Sequence, residues 1–403
     1  MLVRMRVVSF CHYLQGPAAA QYLADMGADV IKVEPPAGAW ERHWSGAKAF
    51  VDGISAFYLA ANRNKRSLAV DLKHPDGKAL ILRLLDGADV VMENFRPGVM
   101  DRLGLGYGQV RARNPAIIYA SATGYGASGP MVGRPGQDLL IQALSGLIAA
   151  TGNERPTAIG FAAADQHGAA LLAMGILGAY VRRLQTGRGT RIDANLLNAG
   201  LDLQTEPLTL YYSGHVTDDA FRRDVNLATW YHEAPYGVYR LADCWLAVSL
   251  NDPKKLAAAL GSKALAALAG VDRYEERDRY AKALAEELGP RRYDELVPGL
   301  DAHAIWYARV RGYDELPDDP QIRHNQVFRD VEIGESTATL VNHPLRYGGE
   351  VPPLRHLALR LGEDTRAVLG ELGYGAAEID DLISRRVVAA PPERAAQDEE
   401  ASG

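Results

Sequence analysis

The run Gly124–Pro130, "GYGASGP", carries a G-x-G-x-x-G spacing directly behind the apolar stretch "AIIYASAT". Such spacing serves dinucleotide binding and hydride chemistry when a strand precedes it, a helix opens from it onto a pyrophosphate, and an acidic residue follows about 20 positions on. Here Pro130 follows the last glycine and "MVGRPGQ" continues as loop, so no helix N-terminus faces a phosphate. A chain with 40 glycines meets the spacing by chance. The two cysteines, Cys11 and Cys244, are too few for a disulfide framework or a conventional zinc site, and each reads as a small buried hydrophobe.

The elements that must position any site read as alternating strands and helices. "RVVSF", the turn "HYLQGP", the helix "AAAQYLADM" and "ADVIKVE" form a βαβ unit ending in the acidic Glu34. Its first turn carries His12, Tyr13, Leu14 and Gln15 where glycines would cradle a pyrophosphate. The outline of a dinucleotide fold is there without its cradle. "RSLAVDL", "DGKALILRLLDGA", "DVVMENF" and "PAIIYASATGYG" continue the alternation, which implies a largely parallel, doubly wound α/β sheet. "HGAALLAMGILGAYVRRLQTGRG" reads as a long small-residue helix stopped by Gly187. Beyond residue 215 the character changes. "VYRLADCWLAVSLND" reads as a hairpin and "PKKLAAALGSKALAALA" begins a helical stretch, which sets a smaller α+β domain over residues 225–320. Residues 1–224 form the first part of the large domain, 321–388 return to it, and 389–403 read as a disordered tail.

The 403 residues, 47% hydrophobic and 23% charged, suit a globular protein of two or three domains. A net charge of -6 argues against general affinity for nucleic acid or membrane surfaces, so a polyanionic ligand needs a local Arg/Lys cluster. The N-terminus imitates a signal peptide, but "VVSF" is too short an apolar run and no later segment approaches a membrane span. The expected location is cytoplasmic.

Six stretches in order resemble the class III CoA-transferase family, the CaiB/BaiF proteins that include formyl-CoA and crotonobetainyl-CoA:carnitine CoA-transferases. They are "GADVIKVEPP", "ANRNKRSLAVDLKHPDGKAL", "VMENFRPGVMDRLGLGY", "ADQHGAALLAMGILGAYVRRLQTGRG", "ADCWLAVSLND" and "LGEDTRAVLGELGY", spanning about Val7 to Ile383. The resemblance implies a Rossmann-like large domain built from both chain ends, a small inserted domain, and a homodimer of two interlocked rings. It implies acyl-CoA and a carboxylic acid as substrates, with coenzyme A carried as part of the substrate, and neither a resident cofactor nor a metal.

The resemblance assigns the nucleophile to Asp165, which opens "DQHGAALLAMGILGAY". By itself an Asp there reads as the N-cap of the following helix, where the helix terminus would keep it ionised. For coenzyme A it points to Leu14 and Gln15 in the first turn, to Val70, Asp71, Leu72 and Lys73 on the adenine side, and to Asn94, Phe95, Arg96 and Arg102 behind "VVME". Arg134 and Gln137 match its pantetheine-proximal loop, and the glycines of "GYGASGP" are expected to admit the backbone close to coenzyme A or substrate. Arg42, Trp44 and Tyr231 are the expected selectors of the acid, with Arg42 favouring a second carboxylate and therefore a dicarboxylic acceptor. His12 reads as a packed turn histidine.

Two other readings stand beside this one. An α-methylacyl-CoA racemase shares the fold but carries a histidine within the equivalent of "GQDLLIQ", where this chain has Gln137; Asp138 or His167 would have to supply the base. A non-catalytic CoA-binding protein would keep Asp165 only as a cap. The glycine-rich lid of some family members is absent, and "LATWYHEAPYG" stands near its place, leaving Trp230, Tyr231 or His232 to exclude water.

Overall fold

The computed structural model describes residues 1–153 and 155–392. Its large sheet has seven strands: β1 Arg6–Ser9, β2 Asp29–Glu34, β3 Lys65–Val70, β4 Val90–Glu93, β5 Ile118–Thr123, β6 Thr190–Asn195 and β7 Val388–Ala389. Their order is β7-β3-β2-β1-β4-β5-β6. Every neighbouring pair is parallel except β7 against β3. The order from β3 to β6 is that of a doubly wound dinucleotide fold, which reverses direction between β1 and β4.

Both faces of this sheet are covered, which explains why the inner strands read as continuous apolar runs. Alternation still sorts their side chains. Val8, Ile31, Leu68 and Val91 face a core shared with Leu80, Ile81, Leu84 and Leu85 of the Pro75–Asp86 helix. Val7, Val30, Val90 and Ile118 face the other core, where Ala19, Ala20 and Leu23 of the Gln15–Asp25 helix meet Ala169, Leu172 and Ile176 of the Ala163–Thr186 helix. The small residues of these two helices let them approach closely. A Cβ built on Gly168 would lie 2.6 Å from Gln15 Nε2, so that position has no room for a side chain.

The described chain divides into two compact units, residues 1–141, 162–199 and 320–392 in one and 142–161 with 200–319 in the other. The expected boundary at 225 is corrected to 200. The second unit also takes in residues 142–161 with the helix Leu147–Thr151, and its main stretch opens with Thr205–Ser213, ahead of the composition shift near residue 215 that sets the expected boundary. The return at 320 lies one residue from the expected position. Within the second unit, Gly237–Arg240 and Trp245–Val248 form the expected hairpin and Tyr307–Arg309 adds a third antiparallel strand. Leu256, Leu260, Tyr280, Leu284, Leu296 and Leu300 from its helices build its core.

Two further corrections concern the C-terminal part. Phe328–Ile333 and Ser336–Val341 form an antiparallel hairpin within the segment expected simply to return to the large domain. Ala389, assigned to a disordered tail, pairs with Ala69, and its carbonyl accepts the Thr365 hydroxyl at 2.7 Å. Residues 393–403 of that expected tail lie outside the described residues. Among the described residues no helix is long and apolar enough to cross a membrane.

Candidate active site

Parallel strands deliver their following loops to one edge, and the carboxyl ends of β1, β2, β3, β4 and β5 bring most of the singled-out residues there. The turn behind β1 holds His12 to Gln15, that behind β2 leads to Arg42 and Trp44, that behind β3 holds Asp71 to Lys73, and that behind β4 holds Asn94 to Arg96. At the reversal point the Asn94 side chain ties two of these turns together. Its Oδ1 accepts the His12 backbone N–H at 3.0 Å and its Nδ2 donates to the His12 carbonyl at 2.7 Å. The His12 ring lies 5.3 Å from Phe95, and burial pulls its pKa down, so a neutral imidazole sits there.

A buried ammonium holds the same turn from below. Lys32 Nζ donates to the Cys11 carbonyl at 2.9 Å and to Glu41 Oε1 at 2.7 Å. Cys11 itself is enclosed, and burial pushes its thiol up to about 12, which removes it as a nucleophile. Leu14 is the N-cap residue of the Gln15–Asp25 helix without a side-chain cap. Gln15 is buried, and its Nε2 finds no hydrogen-bond partner among the described residues.

Asp165 is the third residue of the Ala163–Thr186 helix, and the N-cap is Ala162. The expectation that Asp165 caps this helix is therefore corrected. Asp138 does that work from the start of the Asp138–Leu144 helix, its Oδ1 accepting the backbone N–H of Ala164 at 2.8 Å and of Asp165 at 3.1 Å. The Asp165 carboxyl is left for other chemistry. Burial, and next the nearby Asp138 charge, raise its pKa to about 7, while a hydrogen bond from the Gln15 backbone N–H pulls the other way. The expected full ionisation is corrected accordingly, because desolvation and a like charge outweigh the helix terminus. This carboxyl has the basicity of a nucleophile poised near neutral pH.

The proposed coenzyme A residues differ in what they offer. Lys73, Arg96, Arg102 and Arg134 are exposed cations, and Gln137 is exposed in the loop before the Asp138–Leu144 helix. Val70 ends β3, and the turn behind it is shaped by Asp71, whose Oδ1 accepts the Lys73 backbone N–H at 2.9 Å. Leu72 packs on the core beside it. In "GYGASGP" the close approach is internal: a Cβ on Gly124 would fall 2.7 Å from Gly136 Cα. The two limbs of that loop are pressed together, which replaces the expectation that Gly124 makes room for a ligand.

Arg42 is occupied. Its guanidinium donates to Glu34 Oε1 and Oε2, both at 2.8 Å, to the Leu359 carbonyl at 2.9 Å and to the Tyr58 oxygen at 2.6 Å, with its Cζ 4.0 Å from the Tyr58 ring centre. The expectation that it receives a second substrate carboxylate is corrected, since its donors are spent on a buried partner. Trp44 stays exposed beside it. Tyr231 belongs to the second unit, where its hydroxyl donates to Glu206 Oε2 at 3.3 Å and its ring lies 5.3 Å from Trp230. Sequence reasoning missed Asp138 as a cap, Lys32 and Glu41 as supports, and Tyr13 and Trp40 as exposed rings; the "WERHW" spacing was the one available signal for the last.

One group of possible metal ligands occurs among the described residues, His356, Glu363 and Asp364, with ligand atoms within 4.8 Å of one another. His356 Nε2 lies 3.3 Å from each carboxylate, and Asp364 Oδ2 also accepts the Ser67 backbone N–H at 2.8 Å. His356 Nε2 sits between the two carboxylates, and its contact with Asp364 raises its pKa.

Comparison with known proteins identifies the family. The sequence profile of CoA-transferase family III matches residues 2–365. The chain is 32% identical over 363 residues to the probable fatty acyl-CoA transferase Rv3272 of Mycobacterium tuberculosis, covering 85% of this chain and 90% of that protein. It is 31% identical over 393 residues to a succinate–glutarate CoA-transferase of Agrobacterium fabrum, covering 91% and 94%. A crystal structure of a CaiB/BaiF family protein from Brucella suis superposes with a TM-score of 0.78 at 28% identity, covering 91% of this chain and 98% of that one.

Proposed function

The chain belongs to CoA-transferase family III and is a CoA-transferase, and from that premise we propose that it moves coenzyme A from an acyl-CoA thioester to a free carboxylic acid through covalent intermediates on Asp165. The observation that carries the reading is the Asp165 carboxyl itself, relieved of capping by Asp138, held by the Gln15 N–H and given a pKa of about 7.

The ionised Asp165 oxygen attacks the thioester carbonyl, the C–S bond breaks, and a mixed anhydride and a CoA thiolate result. The thiolate attacks the aspartyl carbonyl of the anhydride, releasing the first acid and leaving an aspartyl–CoA thioester. The acceptor carboxylate attacks that thioester and expels the thiolate, which then takes the acceptor acyl group and frees Asp165. Charge is conserved at each step, so no proton donor is required. The unpartnered Gln15 Nε2, buried beside Gly168 in the next turn of the nucleophile's helix, is the donor suited to the oxygen that gains charge. Lys73, Arg96, Arg102 and Arg134 supply the cations for coenzyme A phosphates, with Asn94 and Phe95 behind the sheet edge. Coenzyme A enters and leaves as part of the substrates, and the reading needs no resident cofactor or metal.

The proposal extends to a second copy of the chain in an interlocked homodimer. In support, the Ala163–Thr186 helix exposes Met174, Val181 and Leu184 at 63%, 53% and 67%, an apolar side that water does not favour. The transferase reading is tested by incubating the protein with an acyl-CoA, quenching with hydroxylamine and mapping the product by mass spectrometry. A hydroxamate on Asp165 supports it; α-hydrogen exchange in D₂O without such a label would assign a racemase instead.

A further inference from the structure

The short helix Trp40–His43 is turned inside out. A surface helix normally buries its apolar residues and shows its charged ones. Here Glu41 is fully buried on Lys32, and Arg42 is buried on Glu34 and Tyr58. The two tryptophans on either side face out instead, Trp40 at 45% and Trp44 at 41% exposure. Their rings stack 4.6 Å apart at 21°. Tyr13, also exposed, packs 5.1 Å from Trp40, and His12 joins Tyr13 at 4.7 Å, while Phe57 closes the far end 5.2 Å from Trp44. Tyr13 holds a left-handed backbone with φ of 62°, a conformation an L-residue adopts at a cost, and that conformation sends the ring outward at this end of the row.

The row of rings begins beside the reaction centre. Tyr13 stands two residues before Gln15, at most about 7 Å of chain, and Gln15 touches both Asp165 and Gly168. Glu41 and Arg42 are both paired on the inner side, His43 is exposed with its Nε2 2.8 Å from the Ala37 carbonyl, and the outward side is dominated by the three rings of Tyr13, Trp40 and Trp44. Such a face gains by covering apolar surface, and its rings carry no guanidinium or ammonium to pair with a second carboxylate.

We propose that Tyr13, Trp40 and Trp44 form the binding face for the body of the transferred acid, and that this acid is a monocarboxylic acid with an uncharged apolar body. The inference rests on Asp165 as the reaction centre only for the direction in which the carboxyl end points. Binding to the rings is measurable without chemistry.

The experiment uses the full-length Asp165→Asn protein, titrated separately with phenylacetyl-CoA, decanoyl-CoA and succinyl-CoA, with tryptophan fluorescence and calorimetry as readouts. The expected result is quenching by the first two and a Kd at least about 10-fold tighter than for succinyl-CoA. Adding Trp40→Ala should remove about a 10-fold share of that preference, and Trp40→Phe should restore most of it, with succinyl-CoA affinity changed by less than about 2-fold. Succinyl-CoA binding equally well or better, or Trp40→Ala weakening all three alike, would overturn the proposal. Retained transfer activity in Asp165→Asn would instead sink the assigned nucleophile and leave the binding result standing.

Discussion

The turns behind β1 and β2 leave the same edge of one sheet, yet they dispose of charge in opposite ways. The first, His12 to Gln15, presents a backbone N–H and a spare amide to an anion, with Lys32 beneath it as a buried brace. The second, Trp40 to Trp44, draws both of its charged side chains inward and leaves rings outside. Lys32 belongs to both arrangements: one of its hydrogen bonds fixes the Cys11 carbonyl, the other hides Glu41. One buried lysine thus braces the polar Gln15 turn and the aromatic row side by side. Position at a strand end sets where a site lies, while the buried partners decide what chemistry it shows.

The contrast breaks most completely at the proposed nucleophile. Asp165→Asn should lower the turnover of CoA exchange between two acids by at least about 1,000-fold, measured by mass spectrometry of product thioesters. Undiminished exchange would end the covalent reading. Next in size is the shared brace. Glu41→Gln leaves Lys32 charged and half-paired in a dry site, with an expected loss of about 3–5 kcal/mol, read from chemical denaturation. A loss under about 1 kcal/mol would show that neutral acceptors, the Cys11 carbonyl and the substituted amide oxygen, suffice to hold Lys32.

A comparable loss is expected for Arg42→Ala, which strands the buried Glu34. Its informative half is selectivity: the ratio of apolar to dicarboxylic acids used should stay the same. A collapse of dicarboxylate use would return Arg42 to the role of selector.

The smallest effect concerns protons. Asp165 is an acid whose folded pKa, about 7, lies above its ordinary value. Below the ordinary carboxylate range both folded and unfolded forms carry the proton and stability is unaffected. As pH rises the unfolded chain ionises first, so the carboxyl weakens the fold progressively until about pH 7 and by a constant amount above it. Asp165→Asn should therefore raise Tm at pH 8 and leave it unchanged at pH 3.5. The same titration predicts that single-turnover release of CoA thiol rises with pH through about 7. Asp138→Asn, which removes the like charge, should shift that rise to lower pH; an unmoved profile would assign the shift to burial alone.

Much of this was legible in the sequence because the relevant signals are local. The βαβ alternation, the Gly187 stop and the hairpin at Gly237–Val248 follow from periodicity and turn residues, and the ordered family stretches are what nominate Asp165. What escaped depends on distant partners. Asp138 caps a helix that starts 25 residues later in the chain. Arg42 and Trp44 lie two positions apart on a four-residue helix and its C-cap, too short for periodicity to separate inside from outside. The second unit takes residues 142–161 from between two segments of the first and opens its main stretch at 200, ahead of the change in composition near residue 215, so composition could not mark the boundary.

The antiparallel β7 has a consequence in time. Val388 pairs with Val70, so the outer neighbour of β3 is translated 318 positions after it. At ordinary rates of synthesis the open flank of β3 waits tens of seconds for its cover. During that wait a bare row of backbone donors and acceptors is offered to any passing extended peptide, which makes a nascent chain stalled before residue 388 the form most prone to misassembly.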